Sequence, residues 1–286
     1  MLSLENNVIW ELLTLGIGIS LLLMLPLSIK WKLPKMTSWM GAVAVSTVAT
    51  LPFLPIYPLL ETNREKALGV LGQIALSLTF GFTIIMLRFW RDPERATPEE
   101  DGVVLSAADG KVLYVKTVDK GVTPLVSKDG KDYRLTELTG TNILASNVYI
   151  IGVEMSILDV HVNRCPISGQ VKLLKHINGQ FMSLGKKEAP FINARHTTII
   201  ENISLSVAVV QVASRLVRRV ENYLNPGETV FAGQRLGMIR FGSLVGVILP
   251  LREDIRIQVK PGDRVMAGVS VLARYNDTSR SKCLIE

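Results

Sequence analysis

The sequence predicts a mainly β domain, barrel-sandwich-like with a few short helices, carried behind N-terminal transmembrane α-helices. Three observations predict it. The first third holds three apolar stretches, Val8 to Ile29, Trp39 to Leu60 and Ala67 to Leu87. Each has the ~20 residues that a helix needs to cross ~30 Å of hydrocarbon. From residue 89 onward the pattern changes to short β-rich runs punctuated by glycine, such as "GVVLSAADGKVLYVKTV", "TTIIENISLSVAVVQVA" and "GVILPLREDIRIQVKPGD". Finally, "NPGETVFAGQRLGMI" recurs 35 residues later as "KPGDRVMAGVSVLAR", a glycine turn feeding a short strand and a second glycine turn.

Taken in order, the apolar stretches read as retained anchors, because a cleaved signal would be one short segment with a small-residue cleavage site. The middle stretch carries Pro52, Pro55 and Pro58 near its end, so a kink or a re-entrant path is expected there. Lys30, Lys32 and Lys35 follow the first stretch, and Arg88 and Arg91 follow the third. Such cations favour the cytoplasmic side, which puts the amino terminus outside and everything after residue 88 in the cytoplasm. The expected organisation is a membrane anchor over 1–88 and a cytoplasmic β-rich domain over 89–286, with "DPERATPEEDG" as the linker. The clearest helical pattern in the second part is "ASRLVRRVENYL". Its Arg215, Arg218 and Arg219 form a basic face that is either solvated or in contact with anionic head groups. The repeated unit resembles the flattened barrel-sandwich of biotinyl and lipoyl domains. No lysine sits in the setting those domains modify, so no swinging arm is expected.

Composition narrows the partners. A hydrophobic fraction of 48% and a net charge of +7, with only 6% aromatic residues, point to an anionic membrane surface rather than nucleic acid. Mean hydropathy is +0.31, high for a purely soluble chain. The two cysteines, Cys165 and Cys283, supply neither a disulfide framework nor a spaced zinc site, and no metal is expected.

Three short motifs carry the candidate chemistry. "SAADGKV" places Asp109 in an Asp-Gly turn, "SILDVHVNRCPISG" contains Asp159, His161 and Arg164, and "RLGMIRFGSLVGVILP" interrupts an apolar strand with Gly242-Ser243. Each alone has an ordinary structural explanation. Together they supply a carboxylate, an imidazole and a hydroxyl, the parts nucleophilic catalysis uses. Ser243 lacks the G-x-S-x-G elbow between strand and helix, which argues against a serine hydrolase. His176 and His196 sit in no such motif and read as structural.

"FWRDPER", "SAADGKV", "DVHVNRCPISG" and above all "GMIRFGS", in this order, resemble the phosphatidylserine decarboxylase family, self-cleaving enzymes that carry a pyruvoyl group. The likeness runs through nearly all of residues 89 to 273. It implies that Ser243 attacks the carbonyl of Gly242, that the resulting ester is eliminated, and that Ser243 becomes the pyruvoyl cofactor at the head of a short chain, 243–286, which stays with chain 1–242. It implies His161 as the base that activates Ser243 and later handles protons in turnover, and Asp109 as the carboxylate that orients and balances it. A glycine suits position 242 because a side chain would crowd the attack. The pyruvoyl group would serve as electron sink for loss of carbon dioxide, as other cofactors do elsewhere. Leu244 and Gly246 depart from the family's usual polar or β-branched residues after the cleavage site, and "SAADG" replaces the commoner Ser-Pro-Ala-Asp-Gly.

The implied substrate is phosphatidylserine within the bilayer, and the product phosphatidylethanolamine. A groove opening toward the membrane would be rimmed by "GQFMSLGKKEAPFINARH", whose Phe181, Met182 and Phe191 stand beside Lys186 and Lys187. Arg164 is a further candidate for a substrate anion. Three other readings stay open: an ether-lipid analogue as substrate, a membrane-anchored adaptor whose Gly-Ser bond stays whole, and an inactive relative. Homo-oligomerisation is possible in any of them.

Overall fold

The computed structural model describes residues 2–30, 35–118, 126–128, 131–133, 135–141, 147–184, 186, 188–214, 219–240 and 243–276. Gly242, Lys187, Arg215, Arg218 and Cys283 lie outside them. The chain divides into two compact units, Met1–Trp90 with Ser156–Leu158, and Arg91–Met155 with Asp159–Glu286.

The first unit is helical. Helix α1 spans Leu2–Lys30 and α2 spans Lys35–Thr50. The stretch read as a second span stops being α-helical at Thr50, where Pro52 withdraws a backbone donor. It continues as two 3₁₀ turns, Leu51–Phe53 and Tyr57–Leu59, each with proline near its start. Helix α3, Asn63–Phe89, opens on a capping box in which Glu65 N–H donates to Thr62 Oγ1 at 3.2 Å and Thr62 N–H to Glu65 Oε2 at 3.0 Å. Buried Gln73 ties the helices together: its Nε2 donates to Thr50 Oγ1 (2.7 Å) and Leu13 O (3.3 Å), and its Oε1 accepts from Tyr57 (2.6 Å). Of three expected spans, α3 alone among the described residues is both long and apolar enough to cross a membrane; Trp10–Pro26 and Ser38–Phe53 are shorter apolar segments.

The second unit is mainly β, as expected. Its strands are β1 (Val103–Leu105), β2 (Gly110–Val118), β3 (Val126–Lys128), β4 (Lys131–Tyr133), β5 (Val148–Met155), β6 (Val162–Arg164), β7 (Gly169–Ile177), β8 (Arg195–Glu201), β9 (Ser206–Val212), β10 (Val220–Asn222), β11 (Thr229–Val230), β12 (Arg235–Ile239), β13 (Ser243–Pro250), β14 (Arg256–Ile257), β15 (Arg264–Val265) and β16 (Val271–Arg274). Two short helices join them, α4 (Leu135–Thr139) and α5 (Ala189–Ile192). An eight-stranded curled sheet runs in the order β11-β7-β8-β9-β13-β5-β2-β15. Alternation along β13 shows why two faces are filled: Val245, Val247 and Leu249 join the larger core with Ile151 and Val209, while Leu244 and Ile248 join a smaller one with Val118 and Leu138.

The repeat seen in the sequence belongs to a larger duplication. β1 pairs with β16 through Val103↔Arg274, Val104↔Ala273 and Leu105↔Val271, with a bulge. β6 pairs with β12 through Val162↔Met238, Asn163↔Gly237 and Arg164↔Arg235, with a bulge at the matching place. β15 on β2 matches β11 on β7 in the same way. Gly110 and Gly169 hold equivalent positions, where a Cβ would come within 2.2 Å of Glu154 O and 2.4 Å of Glu201 O respectively. Glycine is required at both by backbone approach.

The duplication also corrects the helix expected over "ASRLVRRVENYL". Val220–Asn222 is strand β10, paired to β12 as β14 is paired to β16. Pairing to an open strand edge outweighs the local helical pattern, as tertiary context often does.

Candidate active site

His161 stands just before β6, and its backbone carbonyl accepts from Ile239 N–H at 3.2 Å, so it lies against the end of β12. Four residues on from β12's last, Ser243 opens β13 in register with Met155 of β5. The connection that contains Gly242 therefore starts beside His161 and ends at Ser243. Pairing of β6 with β12 and of β13 with β5 brings together two motifs that lie some eighty residues apart in the chain.

The His161 side chain is fully buried, with Nδ1 2.8 Å from the carbonyl oxygen of Asp159. A carbonyl can only accept, so Nδ1 carries the hydrogen. Burial pushes the imidazole's pKa down to about 4, against the opposing pull of the Asp159 carbonyl and of the Asp159 and Asp109 charges. Near neutrality the ring is therefore uncharged, with its lone pair on Nε2. That is the tautomer of a base. The Asp159 carboxylate is itself held by Arg264 Nη2 at 2.6 Å.

Asp109 is also buried, and its described bonds lead to Arg95 and to one backbone amide. Arg95 forks onto it through Nη1–Oδ1 at 2.5 Å and Nη2–Oδ2 at 2.8 Å, and Ala267 N–H donates to Oδ1 at 2.8 Å. Arg95 Nη1 also donates to Ala267 O at 2.7 Å. Asp109 thus acts on His161 through its charge, while the Asp159 carbonyl sets the ring's tautomer.

The segment expected to be a plain linker is a strap laid on the β domain. Arg164, a candidate for a substrate anion, spends Nη1 on Gly233 O (2.9 Å) and Nη2 on Asp92 Oδ1 (3.1 Å) and Pro93 O (3.0 Å). Arg235 donates to Asp92 and, at 2.6 Å, to Glu94. The Thr97 side chain covers Gly233 so closely that a Cβ there would lie 2.1 Å from Thr97 Oγ1. Sequence reading missed Arg95. Its signals were its place at the end of the "FWRDPER" motif and the charge alternation there, which looks like a solvated linker until the fold presents acceptors to it.

The segment expected to form the rim is tethered. Phe181, Met182 and Phe191 are all half-buried. Buried Asn193 clamps the segment by accepting from Met182 N–H (2.7 Å) and donating to Met182 O and Ala213 O (both 2.9 Å). Phe191 and Leu184 pack on the smaller core, which includes Leu244, the residue after Ser243. His176 and His196 face each other across β7 and β8, with ring centroids 6.3 Å apart. Burial first, and then His176, push His196 down to about 4. Among the described residues no group of three His, Cys, Asp or Glu gathers to hold a metal.

A buried neutral base at the end of β12, with a paired carboxylate in its field, is a candidate enzyme site. The model of the phosphatidylserine decarboxylase family matches residues 82–273. Among similar proteins, one named as an archaetidylserine decarboxylase proenzyme from Methanocaldococcus jannaschii is 40% identical over 65% of this chain and 87% of its own. Another so named, from Methanothermobacter thermautotrophicus, is 35% identical over 85% of this chain and 96% of its own. A phosphatidylserine decarboxylase proenzyme from Carboxydothermus hydrogenoformans is 34% identical over 73% and 91% respectively. The chain belongs to the phosphatidylserine decarboxylase family, and its reaction class is decarboxylation.

Proposed function

We propose that the chain is a self-cleaving, pyruvoyl-dependent decarboxylase of phosphatidylserine, anchored by residues 1–88 with the domain 89–286 on the cytoplasmic face. The observation that carries the reading is the place of His161: buried, neutral, with Nε2 basic, and on the strand pair that leads into Ser243. Nε2 takes the proton of Ser243 Oγ as that oxygen bonds to the Gly242 carbonyl carbon. The C–N bond breaks, the nitrogen is protonated, and the amide becomes an ester. Loss of the Ser243 Cα proton expels Gly242 as a carboxylate, and water then converts the dehydroalanine to a pyruvoyl end with release of ammonia.

The residues present fit such a group, since a buried base stands where β12 ends, before the strand that would bear it, with a charge-balanced carboxylate in its field. The pyruvoyl group supplies the electron sink for decarboxylation. His161 is suited to return a proton to the carbon that loses carbon dioxide. Asp109, paired with Arg95, lies near enough that its charge favours proton uptake by that imidazole.

Helix α3 and the net charge of +7 support residence at an anionic bilayer. The proenzyme names of the relatives support a cleaved pair of chains, 1–242 and 243–286. Two relatives named for archaetidylserine favour a second reading in which the lipid backbone is ether-linked. Parallel assays with ester and ether lipids separate the two. The test of the first reading is intact mass of the detergent-purified protein beside Ser243→Ala. A fragment 243–286 with a pyruvoyl end in the wild type, absent from the variant, is expected; two whole chains would overturn it.

A further inference from the structure

Two buried amides sit on either side of the start of β13 and have no part in the mechanism above. Asn163 (β6) and Gln211 (β9) are both 0% exposed. Gln211 Nε2 donates to Asn163 Oδ1 at 2.8 Å, and Asn163 Nδ2 faces Met155 Sδ at 3.8 Å. Met155 is the register partner of Ser243, and Gln211 is that of Val245 on the same strand. Asn163 stands two residues beyond His161. The pair thus lies against the start of the strand that would carry the reactive group, with Asn163 two residues from the base.

Its orientation follows from simple chemistry. A thioether sulfur has no hydrogen to give, so Asn163 gains only by turning Nδ2 toward it. Oδ1 then faces Gln211, which must answer with Nε2. This leaves Gln211 Oε1 pointing elsewhere, fully buried and with no donor among the described residues. An unmet buried acceptor costs more than a satisfied one gains, so its persistence calls for a partner that arrives. Another acceptor, such as a carboxylate or phosphate oxygen, would be repelled. A hydrogen-bond donor is what fits, and in an aminophospholipid head group that donor is the ammonium N–H.

We infer that Asn163 and Gln211 form a receptor for the amino nitrogen of the lipid head group, with Gln211 Oε1 accepting its N–H and Asn163 fixing the direction of that oxygen. The inference rests on the decarboxylase reading above. Substrate and product keep the same nitrogen, so the contact governs binding of both and leaves the decarboxylation step alone.

The experiment uses the full-length processed enzyme in mixed micelles, with cleavage verified by intact mass before lipid is added. A wild type that never cleaves therefore reports failure of the underlying reading, separately. Two lipids that cannot condense with a carbonyl are compared as inhibitors: phosphatidyl-N,N-dimethylethanolamine, which keeps one N–H when protonated, and phosphatidylcholine, which has the same charge and none. The wild type should bind the first about tenfold more tightly. Gln211→Met, close in volume and without an acceptor, should remove that preference and raise KM about tenfold with kcat little changed and Tm equal or higher. Equal inhibition of the wild type by the two lipids overturns the inference, as does a preference that persists in Gln211→Met, since it would then be steric. The wild-type comparison stands even if the variant does not fold. A lower Tm with unchanged KM would overturn the inference as well, marking the amide pair as scaffold.

Discussion

Two copies of one motif stand side by side in the β domain, and their differences locate the chemistry. Gly102–Val112 with Arg256–Tyr275 repeats His161–Val171 with Glu221–Ile239. Gly268 N–H donates to Ser106 O and Gly233 N–H to Cys165 O, both at 2.8 Å; Val112 N–H meets Asp263 O as Val171 N–H meets Glu228 O, again at 2.8 Å. Ala267 N–H is capped by Asp109 in one copy at 2.8 Å, and Ala232 N–H by Ser168 Oγ in the other at 2.9 Å. Tyr275 N–H donates to Gly102 O where Ile239 N–H donates to His161 O. The backbone is thus common property. What differs is that Asp109 replaces a serine and brings Arg95 with it, and that His161 replaces a glycine. The proposed site draws one residue from each copy, and its charge balance from a strap that belongs to neither.

The largest effect should come from erasing the difference at His161. His161→Gln should slow self-cleavage by about 10²–10⁴-fold, the usual worth of a positioned base, as read from the time course of the two fragments on a gel. Cleavage at the wild-type rate would mean that the histidine only fills space.

Making the copies alike at the other position, Asp109→Ser, keeps a cap for Ala267 N–H and leaves Arg95 buried without its partner. Stability should fall by about 3–5 kcal/mol in urea unfolding, and adding Arg95→Met should recover most of it without restoring cleavage. If the single variant is as stable as the parent, the strap is not anchored through this pair.

Acid should separate the copies next. An unfolded imidazole takes its proton near pH 6.5, whereas buried His161 resists to about 4, so the unfolded state binds more protons in between. Stability from this group is whole above pH 6.5 and is lost as pH falls toward 4, on the order of 3 kcal/mol in total. The slope of stability against pH over that window should be shallower in His161→Gln, and an unchanged slope would assign the acid sensitivity to His196 instead.

The smallest effect belongs to the copy without the carboxylate. Ser168→Ala removes one exposed hydrogen bond and should cost about 1 kcal/mol or less with cleavage unaltered. A cleavage defect there would contradict the division of labour between the copies.

Much of this was legible before any coordinates. Glycine-punctuated β runs, the repeated Pro-Gly units, and the motifs around Asp109, His161 and Gly242-Ser243 all depend on local residue type and order. Other features were not. Val220–Asn222 reads as helix because its polar and apolar residues fit that period, and only an available edge on β12 makes it a strand. The duplication extends to β1 and β6, but the three-residue strands involved are too short to be recognised as copies by eye. Asn163 and Gln211 look like ordinary strand residues, since an unmet acceptor can be recognised only once every neighbour is in place.

The sequence by itself determined the β character of residues beyond 89, the presence of an apolar helical segment before them, and the residue types at the proposed site, because these rest on periodicity and on short contiguous motifs. Only the tertiary structure decided that the charged linker is a strap, that Asp109 spends its hydrogen bonds on Arg95 and Ala267 while the Asp159 carbonyl sets the tautomer of His161, and that the base is neutral. Those outcomes depend on burial and on distances between residues far apart in the chain, which no local pattern encodes.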